Sequence, residues 1–413
     1  MKRILPVILC IIVALVINCG TMFPTSYARI DEDKVRVLDY IYEPAEAAPG
    51  GIVDVSTIFA GDWNTLFAHD INWRVSFNVV SNNYGVDTAL DIKPLILFNV
   101  SYHYFSQNTL RFTGSFRIPD SVIFESAAIP EDWISLLPPE YHSAIPAFVK
   151  SLSKHELIAF THDLAQRAKK WGALLTADPG AEDSLLQADS AFSLYRNVYS
   201  PYVPALLQLL TIRIRLFSDI RGVQTVRSTY SVRYNSCFAG IPGSRVYVNK
   251  NPTIDSIGIY KVNKENLQYF DPDAGKYEYE FIRLFSENDP FPDSIQPVEI
   301  NRKCSYFVAG FAGEPDSSLT IQSAMQNGPV TVEGLATQWY FQLDPEETED
   351  VSPYDFMNIA NMGNFIEQLL PPEDEKVQTF VLWLEVNDYL LNEINRPQGS
   401  ALKEVMGRFT YKK

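Results

Sequence analysis

Ile52-Val53-Asp54-Val55-Ser56-Thr57-Ile58-Phe59-Ala60 puts Val53, Val55, Thr57 and Phe59 on one side of an extended chain and Ile52, Asp54, Ser56 and Ile58 on the other. Successive side chains of a strand point to opposite faces, so this alternation predicts a β-strand with one apolar side. The preceding Pro44-Ala45-Glu46-Ala47-Ala48-Pro49-Gly50-Gly51 reads as a turn, because proline fixes φ and glycine tolerates positive φ. Working outward, Val35 to Tyr42 forms an earlier strand. Ile71 to Val80, with Trp73, Val75, Phe77 and Val79 at period two, forms a later one, and Asp91 to His103 and Thr109 to Ile118 continue the series. Short strands separated by turns predict a sandwich or barrel.

At Ile118-Pro119 the period changes. Ser153 and Glu156 form a capping box that opens a helix running to about Leu175, with Leu157, Phe160, Leu164, Ala168, Trp171 and Leu175 on one face. Pro179-Gly180 ends that region. A second helix is expected from about Ser184 to Tyr199, aligning Leu185, Ala188, Phe192, Tyr195 and Tyr199. Strand patterns return at Leu206 to Phe217 and at Val223 to Tyr234, joined by the loop Ser218-Asp219-Ile220-Arg221-Gly222. These two strands are expected to close the first sandwich, which makes residues 118–204 a helical insertion. A Gly/Ser linker in its place should leave the host folded, since a longer loop adds only about 0.6 kcal/mol of closure cost per doubling.

A second all-β block begins at about Val246 and uses Ile254 to Val262, Tyr277 to Phe285, Arg302 to Phe311, Leu335 to Leu343 (with Trp339 and Phe341), Thr379 to Asp388 and Glu404 to Tyr411. The expected fold is mainly β with an α-helical insertion: two sandwich domains over residues 29–240 and 241–413, after a signal over residues 1–28. The 413-residue length suits more than one core.

The signal is read from Met1-Lys2-Arg3 followed by an apolar run from Ile4 to Ile17, too short to span a bilayer comfortably. Two processing sites compete. Val16-Ile17-Asn18-Cys19 resembles a bacterial lipobox that would acylate Cys19, and Ser26-Tyr27-Ala28 is a small-x-small site for signal peptidase. The expected destination is the outer membrane or cell surface, with the only membrane attachment an N-terminal lipid. The formal charge of -16 becomes -18 once Lys2 and Arg3 are removed, which argues against nucleic acid as a partner. Of the four cysteines, Cys10 and Cys19 lie in the signal region. Cys237 and Cys304 are then expected to pair as a disulfide in an oxidising compartment, the other reading being two free thiols.

Glu43-Pro44-Ala45-Glu46-Ala47-Ala48-Pro49-Gly50-Gly51 before an alternating strand resembles the A-to-B turn of immunoglobulin-like domains in bacterial envelope lipoproteins. Val248-Asn249-Lys250-Asn251-Pro252-Thr253-Ile254 resembles the junction between tandem domains of that kind. The resemblance implies two immunoglobulin-like β-sandwiches in the envelope and no particular activity.

Motifs for chemistry are sparse. His155-Glu156 begins like a zincin helix, but position i+4 is Ala159, and His162 follows at i+7 with Asp163 beside it. Asp271-Pro272-Asp273-Ala274-Gly275 lacks the ligands of a calcium loop, and the acidic runs Asp344 to Asp350 and Glu373 to Glu375 read as solvated loops. There is no nucleophile elbow, phosphate loop or dinucleotide fingerprint. No catalytic residue, metal ligand or cofactor is therefore assigned. The expected role is structural, adhesive or partner-binding, toward an envelope or surface protein or a glycan. A secreted hydrolase of envelope or environmental polymers, its cleft roofed by the helices, is the rival. Converging carboxylates in a pocket would favour the hydrolase, and exposed aromatics on one sheet face would favour the binder.

Overall fold

The structure is a computed structural model that describes residues 36–60, 71–80, 87–88, 95–106, 109–119, 131–137, 139–210, 212–220, 224–244, 246, 248–263, 279–288, 295–313, 321–322, 329–330, 336–344, 357–358, 366–369, 371, 378–387 and 399–411. The signal over residues 1–28, Cys19 and the alternative site ending at Ala28 lie outside them, as do residues 271–275, 345–350 and 373–375. No helix among the described residues is long and apolar enough to cross a membrane.

The described chain is mostly β-strand, in several antiparallel sheets, with helices concentrated between the sixth and seventh strands. In the N-terminal half, β1 (Arg36–Glu43), β2 (Ile52–Ala60), β6 (Thr109–Arg117) and β5 (Leu97–Ser106) form one sheet in the order β1-β2-β6-β5. A second sheet has the order β4-β3-β7-β8, from β3 (Ile71–Val80), β4 (Asp87–Thr88), β7 (Ile212–Ile220) and β8 (Gln224–Val232). The strand Ile52–Ala60 occupies the span its alternation predicts. Its register sets Val53 opposite Phe116, Val55 opposite Gly114 and Phe59 opposite Leu110, which fixes one apolar face. That face meets the second sheet: the rings of Tyr42 and Tyr230 are 5.0 Å apart, and Tyr40 Oη donates to Ser218 Oγ at 2.8 Å. Beyond the strand ends the two sheets join where Ala47 bridges Val232 and Arg233 N donates to Ala47 O at 2.9 Å.

The long helix Lys154–Ala177 starts at the expected capping box, with Ser153 and Glu156 each bonding the other's backbone N–H. Leu157, Leu164, Ala168, Trp171 and Leu175 are buried, and Phe160 packs at their margin. The single second helix expected from Ser184 to Tyr199 is instead two helices, Glu182–Ala188 and Ser190–Leu194, followed by a π-helical turn over Tyr195–Tyr199. Asp189 makes the break. Its Oδ1 caps the second helix by accepting from Ala191 N and Phe192 N, while its Oδ2 accepts from Trp171 Nε1 at 2.8 Å. That last bond is the main reason the Asp189 carboxyl is held below its ordinary range. The strand expected from Leu206 is also corrected. Val203–Leu209 is a helix with Pro204 in its first turn, and the strand begins only at Ile212.

The helices and sheets share one core. Trp171 packs on Phe192 and Tyr195, Tyr195 packs on Phe238, and the same cluster takes in Val53, Val55 and Phe116 from the first sheet and Ile214 and Leu216 from the second. At Gly240 the chain presses so closely on Gly172 of the long helix that a Cβ would sit 2.8 Å from the Gly172 carbonyl oxygen. The helical segment is inserted in sequence, yet its apolar side chains are structural members of the host core.

In the C-terminal half, β9 (Thr253–Asn263), β10 (Tyr279–Ser286), β12 (Cys304–Gly313) and β17 (Ile366–Leu369) give the order β10-β9-β12-β17. A five-stranded sheet has the order β11-β19-β18-β15-β16, from β11 (Gln296–Ile300), β15 (Ala336–Asp344), β16 (Met357–Asn358), β18 (Gln378–Asn387) and β19 (Ser400–Tyr411). Its β11–β19 ladder is parallel. A small ladder joins β13 (Ile321–Gln322) to β14 (Pro329–Val330). Ile257, Ile259 and Val308 face Trp339, Phe380, Leu382, Leu384 and Phe409 in a second core.

The halves are not independent beads. Leu38 and Ile58, on the outer side of the first sheet, are buried against Tyr340, Val381 and Trp383 of the five-stranded sheet. Asn251 cross-ties this seam: Nδ2 donates to Tyr42 O (2.8 Å) and Glu43 Oε2 (2.7 Å), and Oδ1 accepts from Ser400 N (3.0 Å).

Candidate functional site

β9 alternates from Ile257 to Val262. Ile257 and Ile259 enter the second core, which turns Gly258, Tyr260 and Val262 to the opposite, outer face of the sheet. On β10, Tyr279, Phe281 and Arg283 pair with Val262, Tyr260 and Gly258. On β12, Phe307, Ala309 and Phe311 pair with Tyr260, Gly258 and Ser256. The registers thus gather five aromatic rings on one side of three neighbouring strands. Tyr260 lies at the centre, 4.9 Å from Tyr279 and 4.8 Å from Phe281, and Phe281 is 5.9 Å from Phe311 in edge-to-face contact.

Gly258 makes this arrangement possible. A Cβ there would stand 2.3 Å from the Phe281 ring, so the absent side chain is the space the ring fills. Tyr260 is buried beneath its neighbours, whereas Tyr279 and Phe311 are each 44% exposed and Arg283 is exposed beside them. Among the described residues the cluster draws on β9, β10 and β12, with Val262 and Ala309 completely buried on the same side and Phe281 and Phe307 partly buried. Strand spacing and rise put the platform at about 10 Å by about 20 Å. Other exposed apolar residues, Ile96, Phe98, Val100 and Tyr102, do not make such a face. A bulge between Phe98 and Ser101, with Asn99 at φ 54°, changes the side to which β5 points its side chains.

The seam holds the other notable constellation. A cavity of about 270 Å³ is lined by Asp39, Tyr40, Tyr42, Glu385, Asn387 and Ser400 among others. Asp39 accepts from Tyr40 N (2.7 Å) and from Ser400 Oγ; Glu385 accepts from Tyr340 Oη (2.9 Å) and Asn387 Nδ2 (2.7 Å). Burial, and next the charge of Glu385, push the Asp39 carboxyl up to about 7. Each of the four oxygens already accepts a hydrogen bond from the protein, and the one from Ser400 Oγ to Asp39 crosses between the halves.

The sequence-derived candidates fall elsewhere. His155 is exposed, His162 Nδ1 bonds Tyr234 Oη (3.1 Å), and Asp163 pairs with Arg167 (2.8 Å), so the three do not converge. No group of three or more metal-ligating side chains occurs among the described residues. Cys237 and Cys304 are free thiols, and the bridge expected between them is not formed. The reason is placement: Cys237 is buried in the first core, in the 3-10 turn Tyr234–Phe238 after β8, and Cys304 packs on the margin of the second core. Burial pushes the Cys237 thiol up to about 11, which suppresses the reactive thiolate. Under native, non-reducing conditions a thiol reagent is expected to modify half-buried Cys304 and spare Cys237. Denaturant without reductant should then expose two labelled thiols by mass spectrometry, and a single unlabelled, linked pair would contradict this placement.

No protein-family model matches the chain, and no curated protein sequence matches it. Among solved structures, a DUF4466 family protein from Parabacteroides merdae ATCC 43184 aligns over 92% of this chain and 100% of its own, at 7% identity and a TM-score of 0.15. At that score the likeness carries neither fold nor function.

Proposed function

We propose that this chain is an exported, lipid-anchored envelope protein that binds a neutral glycan through the aromatic face of its C-terminal half. The observation that carries the reading is the cluster of Tyr279, Phe281, Phe307 and Phe311 around Tyr260, in which Tyr279 and Phe311 are exposed and Phe281 and Phe307 partly buried. Exposed apolar patches on a folded protein mark places of interaction. The platform covers on the order of 200 Å², against about 800 Å² for each partner of a standard protein complex, which suits a short stretch of polymer. Sugar rings offer apolar C–H faces and hydroxyls, matched here by aromatic rings and the neighbouring Arg283. A sequence pI near 4.8 disfavours an anionic polymer.

Export rests on Met1-Lys2-Arg3 and the apolar run after it, and anchoring on Cys19 at the end of that run. The paired sheets of each half are read as immunoglobulin-like sandwiches, over residues 29–240 and 241–413. Affinity electrophoresis through gels containing neutral polysaccharides tests the binding. At least one polymer should retard the protein, and the double variant Tyr279→Ala/Phe311→Ala should lose about 30-fold or more in affinity, as two anchors of about 1 kcal/mol each imply. Retardation by none, or an unchanged double variant, would sink the glycan reading; the former would direct the face to a protein partner.

A further inference from the structure

We infer that the ligand of the aromatic face is a single solvated polysaccharide strand gripped along its length, and neither a lone sugar nor the flat face of a crystalline polymer. This rests on the glycan reading above and adds to it the form of the polymer. Register sets the argument. Tyr279 stands opposite Val262 at one end of β9, and Phe311 stands opposite Ser256 near the other, on the two strands that flank β9. The rings between them form a continuous row: Tyr279 to Tyr260 at 4.9 Å, Tyr260 to Phe281 at 4.8 Å, and Phe281 to Phe311 at 5.9 Å. Both ends of the row are exposed, whereas Tyr260 is buried and Phe281 partly buried. Contact with a ligand is thereby concentrated at two separated seats. A pyranose ring is close in size to one aromatic ring, so a disaccharide laid on one seat falls short of the other. A molecule that uses both is a chain.

Gly258 keeps the row continuous. Phe281 belongs to β10, yet its ring lies where a side chain on Gly258 of β9 would be, with that Cβ position 2.3 Å from Cζ and 2.6 Å from Cε2. Leaning across the neighbouring strand brings Phe281 to Phe311 on β12. The ring planes then decide the form of the polymer. Tyr260 makes 89° with Tyr279 and 49° with Phe281, and Phe281 makes 83° with Phe311. Tilted and edge-to-face contacts are the favoured geometries of aromatic neighbours, and here no two adjacent rings of the row share a plane. A crystalline polysaccharide presents its chains in one flat layer, which such a row does not match. A solvated strand rotates about its glycosidic bonds and turns successive sugar faces to successive seats. Exposed Arg283, opposite Gly258 in register, adds N–H donors beside the row for hydroxyls at the sugar edges.

The test uses the intact chain, with hydroxyethylcellulose, xylan and laminarin as solvated polymers and microcrystalline cellulose and powdered chitin as particulates. A solvated polymer should retard the protein in a gel, and the particulates should leave it in the supernatant. The hexasaccharide of the retarding polymer should compete at a concentration at least about fivefold lower than the disaccharide, the gain expected from engaging a second anchor. Phe311→Ala, at one exposed end, should abolish that difference, and Tyr279→Ala repeats the test from the other end. Equal competition by the two oligosaccharides, a difference that survives in both folded variants, or binding to the particulates alone would overturn this inference and leave a glycan face standing. Binding to none of the five materials would remove the glycan reading itself, and this inference with it.

Discussion

Replacing residues 119–210 by a short Gly/Ser linker is expected to leave the N-terminal half unfolded. The sequence alone suggests the opposite, that an insertion between strands can be cut away, and the core decides the matter. Among the described residues, 22 of the 36 buried side chains in the first cluster come from this segment. Full burial of a large apolar side chain stabilises by about 1.5–3 kcal/mol, and a domain's whole net stability is about 5–15 kcal/mol. Removing Leu157, Leu164, Trp171, Phe192, Tyr195 and Leu206 alone costs about 9–18 kcal/mol, comparable to or above that whole reserve. The sheets would keep their ladders in principle but would expose Val53, Phe116, Ile214 and Leu216. Far-UV circular dichroism and urea titration of the deleted protein check this. A cooperative N-terminal transition surviving the deletion would show that the two sheets suffice for one another.

Trp383→Ala should be the most costly single change in the seam, destabilising by about 3–5 kcal/mol. The indole is completely buried among Leu38, Ile58, Tyr340 and Val381, and its Nε1 donates to Glu404 Oε2 at 2.9 Å. Truncation opens a cavity between the halves and removes the donor that holds a carboxylate, so two penalties coincide. Trp383→Phe should cost less, because it keeps much of the contact and loses mainly the hydrogen bond. Urea midpoints compared across wild type, Phe and Ala measure the two contributions. An Ala variant within about 1 kcal/mol of wild type would mean that the two halves gain little from being joined.

What could be read in advance follows from how local each signal is. Ile52–Ala60 alternates without interruption between a Pro/Gly turn and a glycine, and it forms the strand so indicated. Lys154–Ala177 announces itself by its capping box and apolar stripe. The Leu206–Leu210 stretch misleads because a short leucine-rich run, broken only by Gln208, fits a buried strand and a buried helix equally; Pro204, in the first turn, was the available clue. Asp189 looks like one more polar residue inside a helix until the indole of Trp171 is seen beside it. Ile58 sits on the side of β2 that carries Asp54 and Ser56, so nothing nearby in sequence says that it is covered. The aromatic face required the registers of three strands at once, and the acid pair required contacts such as that between Ser400 and Asp39, 361 residues apart. Alternation assigns a side chain to a face, and only tertiary pairing tells which faces meet water.

The tie at Asn251 links the earliest described strand to the last one, and this bears on how the chain matures as it is made. Synthesis proceeds from the N-terminus at about 5–20 residues per second, so the Leu38–Ile58 surface precedes its cover at Trp383 by some tens of seconds. During that interval the nascent molecule presents a greasy flank whose partner has not yet been translated. A ribosome stall or premature stop before residue 383 would therefore release a species with that flank bare, suited to capture by a holdase chaperone or to clumping with its siblings. Ser400, reaching back to Asp39 and Asn251, makes the closing stitch only when nearly the whole polypeptide is out.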